Sequence, residues 1–594
     1  MAITGGKIIY NRLLKHKVKD VFLYSGGAIM PVIDTLYKSK INYFINSNEH
    51  NGCFSAVGYA KSTNKTGVMI TTSGPGLTNC ITPMLDSTND STPLVVISGQ
   101  VPLSAMGSQA FQECPATEIT KPVTKWSYCV QSIDELSDVM DEAFYIANNG
   151  KKGSVHIDLP KCIASSTTTL YNDLSIKQIL NDSNDSNDSN DSNDSNDSND
   201  LSKKTFESYI QEIGEVINKS KNPVFYIGQG CNNVSKELRD LIYKSNIPVT
   251  TTLHAMGVFD ETHSLSLKMC GMHGSYYSNK ALQNADCIIA IGSRFDDRTI
   301  GNPKLYAPLA NKNKAIIHCN IEESELNKNI KSHYPVNCDS KLFINTLNKY
   351  IEPKNRHNWL TQINNWKIEH PFEYNECLSG QIKTQSVLSE FNKQTKNLSD
   401  IIYTFGVGNH LMMGCQFIDW RRPKQVIASG SLGAMGCSIG YSIGAQIANP
   451  DKRIISIDGD GSFNMSLTDL KTIKEYNIPI KIAIMNDSSL SMVRIWEKLF
   501  FEERYTATNN PNNPDYVSLG NSFGIKSLYC DNQNDLPQII NEFLNYDGPI
   551  ICEFKVLGEE CLPLVSPGKA LDDMILFKEY NKKKINLTGE LAPN

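Results

Sequence analysis

The sequence predicts an α/β protein of three doubly wound parallel-sheet domains, on three observations. At 594 residues the chain exceeds a typical domain several-fold, and its 40% hydrophobic content supports large buried cores. Strand-length apolar runs alternate with helix-length stretches in three blocks, residues 1–165, 205–352 and 379–565. Runs such as "RIISIDGDGSF" and "CIIAIGSRFDDR" are strands apolar enough to be buried on both faces and end in glycine-containing turns.

In the first block, the extended "INYFINSN" leads into "HNGCFSAVGYAKS", whose apolar spacing suits a helix packing on a sheet. Residues 166–204 read as a linker. Within it, 181–200 are six Asn-Asp-Ser triplets plus Asn-Asp, with nothing apolar to bury, so disorder is expected. In the central block, "PVFYIGQG", "VTTTL", "CIIAIGSRFDDR" and "AIIHCNIEE" read as strand ends of a nucleotide-binding-like sheet, without a clear G-x-G-x-x-G. After a second linker, 353–378, the third block contains the strand "RIISIDGDGSF", the helix "SLTDLKTIKEYN" and the strand "IPIKIAIMND". The tail, 566–594, includes a lysine run that reads as solvated surface.

The repeat carries seven aspartates, and without them the formal charge of −6 becomes +1, so the acidic balance identifies no partner. No basic block points to nucleic acid, and no run approaches the ~18 apolar residues of a membrane span. Sixteen cysteines without a Cys-x-x-Cys pair read as reduced, mostly buried thiols. A cytoplasmic protein is expected, with an organelle form lacking its transit segment as the alternative.

The chemistry concentrates at Gly459-Asp460-Gly461-Ser462 and Asn486-Asp487. These pairs end two strands separated by one helix, so the acidic side chains of Asp460 and Asp487 are expected at one sheet edge. Magnesium takes oxygen ligands and commonly binds through one or two carboxylates plus phosphate oxygens, which suits these two residues. A lone Gly-Asp-Gly is usually an ordinary turn; the second strand end makes the pattern specific.

This arrangement resembles the thiamine diphosphate signature, which also implies the backbone carbonyl of Ser489 as a third magnesium ligand. A thiamine enzyme needs a carboxylic acid beside the aminopyrimidine ring, and Glu49 is the candidate. By itself Glu49 reads first as a helix-start glutamate favoured by the macrodipole. Its surroundings decide. "VFLYSGGA", "TTSGPGLTN", "PLVVISGQVP", "GSQAFQE", "GMHGSYYSN", "GSRFDDR", "SGSLGAMG", "ANPDKRIISIDGDGSF" and "MVRIWE" occur in the order found in the acetolactate synthase (acetohydroxyacid synthase) catalytic subunit family, which the whole chain resembles.

The resemblance implies a pyrimidine-binding first domain, a central FAD-binding domain and a diphosphate-binding third domain. It implies diphosphate contacts from Val407, Gly408, Asn409 and His410, with Gly461, Ser462, Leu490 and Ser491 around the metal. Gly433 and Met435 would hold the aminopyrimidine. Gly26, Phe111 and Gln112 match substrate-side positions, and Trp496 matches the residue shaping the second keto acid's pocket. FAD would lie near Gly228, Gly230, Thr252, Leu253, Met272 and His273, and near Asp297, Arg298, Asn320 and Asp339. The implied reaction decarboxylates pyruvate and ligates the two-carbon unit to a second keto acid, giving 2-acetolactate. The implied assembly is a homodimer or homotetramer, with the active site formed between the first domain of one subunit and the third domain of another, and with a separate regulatory subunit as a possible partner.

The chain departs from the family pattern at Tyr24-Ser25-Gly26-Gly27 and at Ser47-Asn48-Glu49-His50-Asn51-Gly52. Leu103 and Ser104 replace basic residues after "GQVP", weakening carboxylate recognition there, and His50 is a candidate acid or base. These changes keep two alternatives open: a different acceptor such as a keto-sugar, or a catalytically silent relative.

Overall fold

A computed structural model describes residues 2–171, 196–375, 377 and 379–581. Three sheets dominate it, and the strand pairs within them are parallel. The first has six strands in the order Asn42–Ile45, Asp20–Leu23, Gly67–Thr71, Leu94–Gln100, Ser154–Pro160, Trp126–Cys129. The second, also six-stranded, runs Ser266–Met269, Val249–Thr251, Pro223–Ile227, Cys287–Ile291, Ile316–Asn320, Tyr334–Asn337. The third has seven, with Arg453–Gly459 and Lys481–Asn486 side by side at its centre. Strands such as Leu94–Gln100 and Cys287–Ile291 are buried throughout, as apolar runs without alternation require.

By contact the chain falls into two units. One comprises residues 1–199, 429–454 and 464–480; the other comprises 200–428, 455–463 and 481–594. Within the first, the helix Ser438–Ala448 packs against Glu49–Ser62 through glycines on both. An ideal Cβ on Gly444 falls 1.8 Å from the Ser55 carbonyl oxygen, and one on Gly58 falls 2.4 Å from that of Tyr441. Small residues at such crossings let backbones touch. Gly444→Ala is therefore expected to lower the chemical-denaturation midpoint, at a cost of about 1–3 kcal/mol for overpacking. Gly27→Ala is the control, since a Cβ there meets nothing within 4 Å; equal midpoints would refute the close-packing reading.

Several stretches carry more structure than expected. The helix Asn196–Lys219 begins inside the Asn-Asp-Ser repeat; residues 181–195 lie outside the described residues. The 353–378 linker contains the helix His357–Glu369, whose Trp359 and Ile363 pack four residues apart into the second sheet's core. Their spacing is easily missed in so polar a stretch. The tail contributes Leu571, Met574 and Leu576 to that same core. The helix expected over "SLTDLKTIKEYN" is a 3-10 turn, Leu467–Asp469, followed by Leu470–Glu475. Asp469 there accepts bonds from the Ser47 N–H (2.7 Å) and the Asn46 side chain (3.0 Å), which fixes the turn. All sixteen cysteines are free thiols.

Candidate functional site

The metal-side half is built on the two central strands of the third sheet. Gly459 pairs with Met485, so Asp460 and Asp487 follow adjacent strand ends. Asp460 is 1% exposed. Burial and the Asp487 charge push its carboxyl up to about 6, against the pull of the Asn513 and Asn510 amides. Burial likewise raises Asp487, opposed by bonds from Ser491 and Ser489. The Ser489 N–H and hydroxyl each donate to Asp487 at 3.1 Å, and Ser491 donates to its other oxygen. A buried carboxylate raised by burial and by its neighbour's charge, beside a second carboxylate raised by burial, suits a hard divalent cation. Among the described residues no group of three or more His, Cys, Asp or Glu is arranged to hold a metal, so the pair suits an ion completed by backbone and phosphate oxygens.

Asn510 and Asn513 were not legible as site residues. Their amides donate to one Asp460 oxygen at 2.9 and 2.6 Å, and the Asn510 N–H donates to the Ser488 carbonyl at 2.8 Å. The only sequence signal is "NNPNNPD", which reads as a loop.

The diphosphate candidates follow the strand Ile401–Phe405. Val407 and Gly408 lead into the helix Asn409–Phe417, whose first-turn N–H groups suit an anion. The Asn409 Oδ1 atom is buried and has no hydrogen-bond partner among the described residues, and the buried His410 Nε2 lies 3.5 Å from an Asp458 carboxylate oxygen. Burial lowers His410 to about 4. Nearby, an ideal Cβ on Gly406 would meet Ser462 Oγ at 2.7 Å and collide with Asp458, so the cradle admits only glycine there. Gly461 lies in the turn Asp460–Phe463. A helix N-terminus beside a close-packed glycine turn fits a polyanion. Leu490 binds the Thr508 carbonyl through its N–H at 2.8 Å and caps the helix Ser491–Phe500. Asp487, Ser489, Ser491, Arg494, Lys498 and Glu560 line a pocket beside it. Trp496 lies on that helix half-buried, edge-on to Phe500 with ring centres 5.2 Å apart.

Glu49 is the first residue of the helix Glu49–Ser62, capped by the Asn48 side chain. Asn79 donates to its Oε2 at 2.9 Å. An ideal Cβ on Gly76 would lie 3.5 Å from Glu49 Oε1 and 2.6 Å from Thr71 Oγ1, and one on Gly26 would lie 2.4 Å from Thr72. Both threonine hydroxyls are buried with no hydrogen-bond partner among the described residues. Gly74, at φ +57°, abuts the backbone of Gln112. Glu49, Gly26 and Gln112 thus converge on the Thr71–Asn79 turn, whereas Phe111 is 88% exposed. Thr71, Thr72 and Asn79 were not singled out in the sequence, although "TTSGPGLTN" contains them. His50 lies edge-on to Phe54 and bonds Asn51 at 3.2 Å, with its pKa lowered by burial. Those contacts account for it as a packing residue. Gly433 and Met435 sit on the loop 429–436, with Met435 half-buried.

Three models of thiamine pyrophosphate enzyme domains match in order: the N-terminal TPP binding domain over residues 3–119, the central domain over 210–347 and the C-terminal TPP binding domain over 406–554. The acetolactate synthase catalytic subunit, mitochondrial, of Saccharomyces cerevisiae is 39% identical over 590 residues, spanning 97% of this chain and 84% of that protein. The chain belongs to the acetolactate synthase family. The mitochondrial acetolactate synthase of Schizosaccharomyces pombe is 38% identical, covering 97% of this chain and 87% of its own length. Chloroplastic acetolactate synthase 1 of Nicotiana tabacum is 34% identical, with 96% and 84% covered.

The positions the acetolactate synthase resemblance assigns to FAD share one edge of the central sheet. Gly228 and Gly230 follow Pro223–Ile227, Thr252 and Leu253 follow Val249–Thr251, and Met272 and His273 follow Ser266–Met269. Asp297 and Arg298 follow Cys287–Ile291, Asn320 ends Ile316–Asn320, and Asp339 caps Ser340–Tyr350. Carboxyl ends of parallel strands are where such sheets bind ligands. An ideal Cβ on Gly228 would lie 2.2 Å from the Gly292 carbonyl oxygen, so the strand ends meet backbone to backbone. Thr251 Oγ1 and Ser293 Oγ are buried there without hydrogen-bond partners among the described residues, so the edge has donors to offer a polar cofactor. His273 is buried, bonds the Cys561 carbonyl at 3.2 Å and is lowered by burial to about 4.

Proposed function

We propose that this chain decarboxylates pyruvate and ligates the two-carbon unit to a second 2-keto acid, giving 2-acetolactate. The carrying observation is that this member of the family has Asp460 and Asp487 on adjacent strand ends and Glu49 at a helix start. Thiamine diphosphate, when bound, supplies the electron sink for decarboxylation. In this reading Asp460, Asp487 and the Ser489 carbonyl hold magnesium, while Asn409 and His410 meet the diphosphate. Glu49 holds a proton at its carboxyl against the aminopyrimidine, with Asn79 fixing its orientation, and Gly433 and Met435 bear on that ring. FAD occupies the central sheet edge. The chain acts as a homodimer or homotetramer, and the "catalytic subunit" in the yeast relative's name supports a separate regulatory subunit.

One observation favours a second reading, in which the acceptor is a neutral ketone such as a keto-sugar. Leu103, where the family has a cation, packs against the first sheet's core, and Ser104 offers no charge. A carboxylate acceptor loses a bidentate partner there. Purified protein incubated with pyruvate, magnesium, thiamine diphosphate and FAD is expected to release carbon dioxide and accumulate 2-acetolactate as the sole ligation product. Slow acetolactate formation, with faster consumption of an added keto-sugar, would replace the first reading by the second. No decarboxylation with every cofactor bound would overturn both.

A further inference from the structure

The loop that carries Gly433 and Met435 is tied to a buried ion cluster that plays no part in the chemistry above. Lys61, near the end of Glu49–Ser62, places its Nζ 2.7 Å from Asp90 and 3.3 Å from Asp86. The three side chains are 7%, 0% and 0% exposed. Burying ions costs several kcal/mol each, so such a cluster is weak evidence for stability and invites another explanation.

Its hydrogen bonds converge on one stretch of backbone. Asp90 accepts from the Gly430 and Ser431 N–H groups at 3.1 and 2.9 Å. Asp86 accepts from the Ser429 and Tyr441 hydroxyls. The Ser429 Oγ in turn accepts the Ala434 N–H at 2.9 Å. Ala434 lies between Gly433 and Met435, and the left-handed residues Gly433 (φ +70°) and Gly436 (φ +78°) bend the chain around it. Two carboxylates therefore fix three amides of this loop, two directly and one through a hydroxyl. Lys61 holds the carboxylates in place, and Tyr441 donates to one of them from the helix that follows the loop.

We propose that Lys61, Asp86 and Asp90 are positioning residues: they set the loop 429–436, and through Ser429 the Ala434 amide, so that Gly433 and Met435 present the correct shelf to the aminopyrimidine. The inference rests on the cofactor assignment made under Proposed function. It differs from plain scaffolding in what each group is asked to do, since the Ser429 hydroxyl bridges to the shelf without contributing charge.

The test uses the full chain with Ser429→Ala and Asp86→Asn. It compares the cofactor-free melting temperature, thiamine diphosphate affinity with magnesium, kcat on pyruvate at saturating cofactor, and the near-UV circular dichroism of bound cofactor. Ser429→Ala is expected to fold and melt only a few degrees below the parent, as one lost buried hydroxyl allows, to bind the cofactor roughly five- to tenfold more weakly, and to lose at least about tenfold in kcat with an altered dichroism band. Asp86→Asn should move the same three cofactor readouts further. Parental affinity, kcat and dichroism in both variants would overturn the positioning role, as would failure of both to fold, which would make the cluster a scaffold. If the unmodified protein binds no thiamine diphosphate, the functional reading falls and this inference with it. If it binds and turns over while both variants match it, this inference alone falls.

Discussion

Replacing Glu49 with glutamine is expected to cut pyruvate consumption by roughly 10²- to 10⁴-fold, the usual worth of a positioned acid or base, while fold and thiamine diphosphate affinity stay nearly intact. The side chain is held by the Asn79 amide, which donates to Oε2 at 2.9 Å, and a glutamine carbonyl oxygen can accept that bond. The substitution removes a proton site, and with it a helix-start charge worth about 0.3–1 kcal/mol against the macrodipole. Pyruvate consumption, cofactor affinity by calorimetry and the melting temperature should be measured on the same preparation. A variant that consumes pyruvate at the parent rate would leave Glu49 as a helix-start residue only. One that loses cofactor affinity and melting temperature together would make it a structural residue.

The fold class was legible because the signal is local: fully apolar strand runs ending at glycine turns predict buried parallel sheets, and three such sheets are present. Asp460 and Asp487 were legible for the same reason, since two strand ends separated by one helix must fall side by side. What escaped depends on partners distant in sequence. Gly440 and Gly444 read as a glycine-rich helix, but nothing in one sequence says that Asn51, Phe54 and Ser55 lie opposite them. Asn510 and Asn513 look like loop residues until their amides are found on the Asp460 carboxylate. Trp359 and Ile363 are too sparse among polar neighbours to advertise a buried helix face. Asp469, which closes the 3-10 turn where a helix start was expected, is held by Ser47, more than four hundred residues away.

Asp460→Asn is expected to abolish magnesium-dependent retention of thiamine diphosphate while making the cofactor-free protein more stable, not less. The sign follows from the raised carboxyl pKa. A carboxyl near 6 when folded and near ~3.9 when unfolded contributes stability that is present below the unfolded value and lost as pH rises through about 6. At pH 7 the ionised group is therefore a burden, on the order of 3 kcal/mol by the usual conversion. Asparagine removes the charge and the repulsion from Asp487 while keeping an oxygen that accepts the Asn510 and Asn513 amides. The loss lies on the other side of the equilibrium. Without that carboxylate the ion keeps one acidic partner and the diphosphate charge is poorly compensated, so affinity should fall by at least about a hundredfold. Parent protein at about a hundred times its dissociation constant gains ~2.7 kcal/mol from the bound cofactor. The variant at the same concentrations should gain almost nothing. Thermal melts at pH 7 and at pH 5, with and without magnesium and thiamine diphosphate, separate the two effects, because the cofactor-free advantage of asparagine should shrink at pH 5, where Asp460 is already mostly protonated. A variant with parental cofactor affinity would reduce the Gly-Asp-Gly sequence to a turn. A cofactor-free variant less stable than the parent at pH 7 would mean that the ionised Asp460 is held by its amide partners more firmly than burial and Asp487 oppose it.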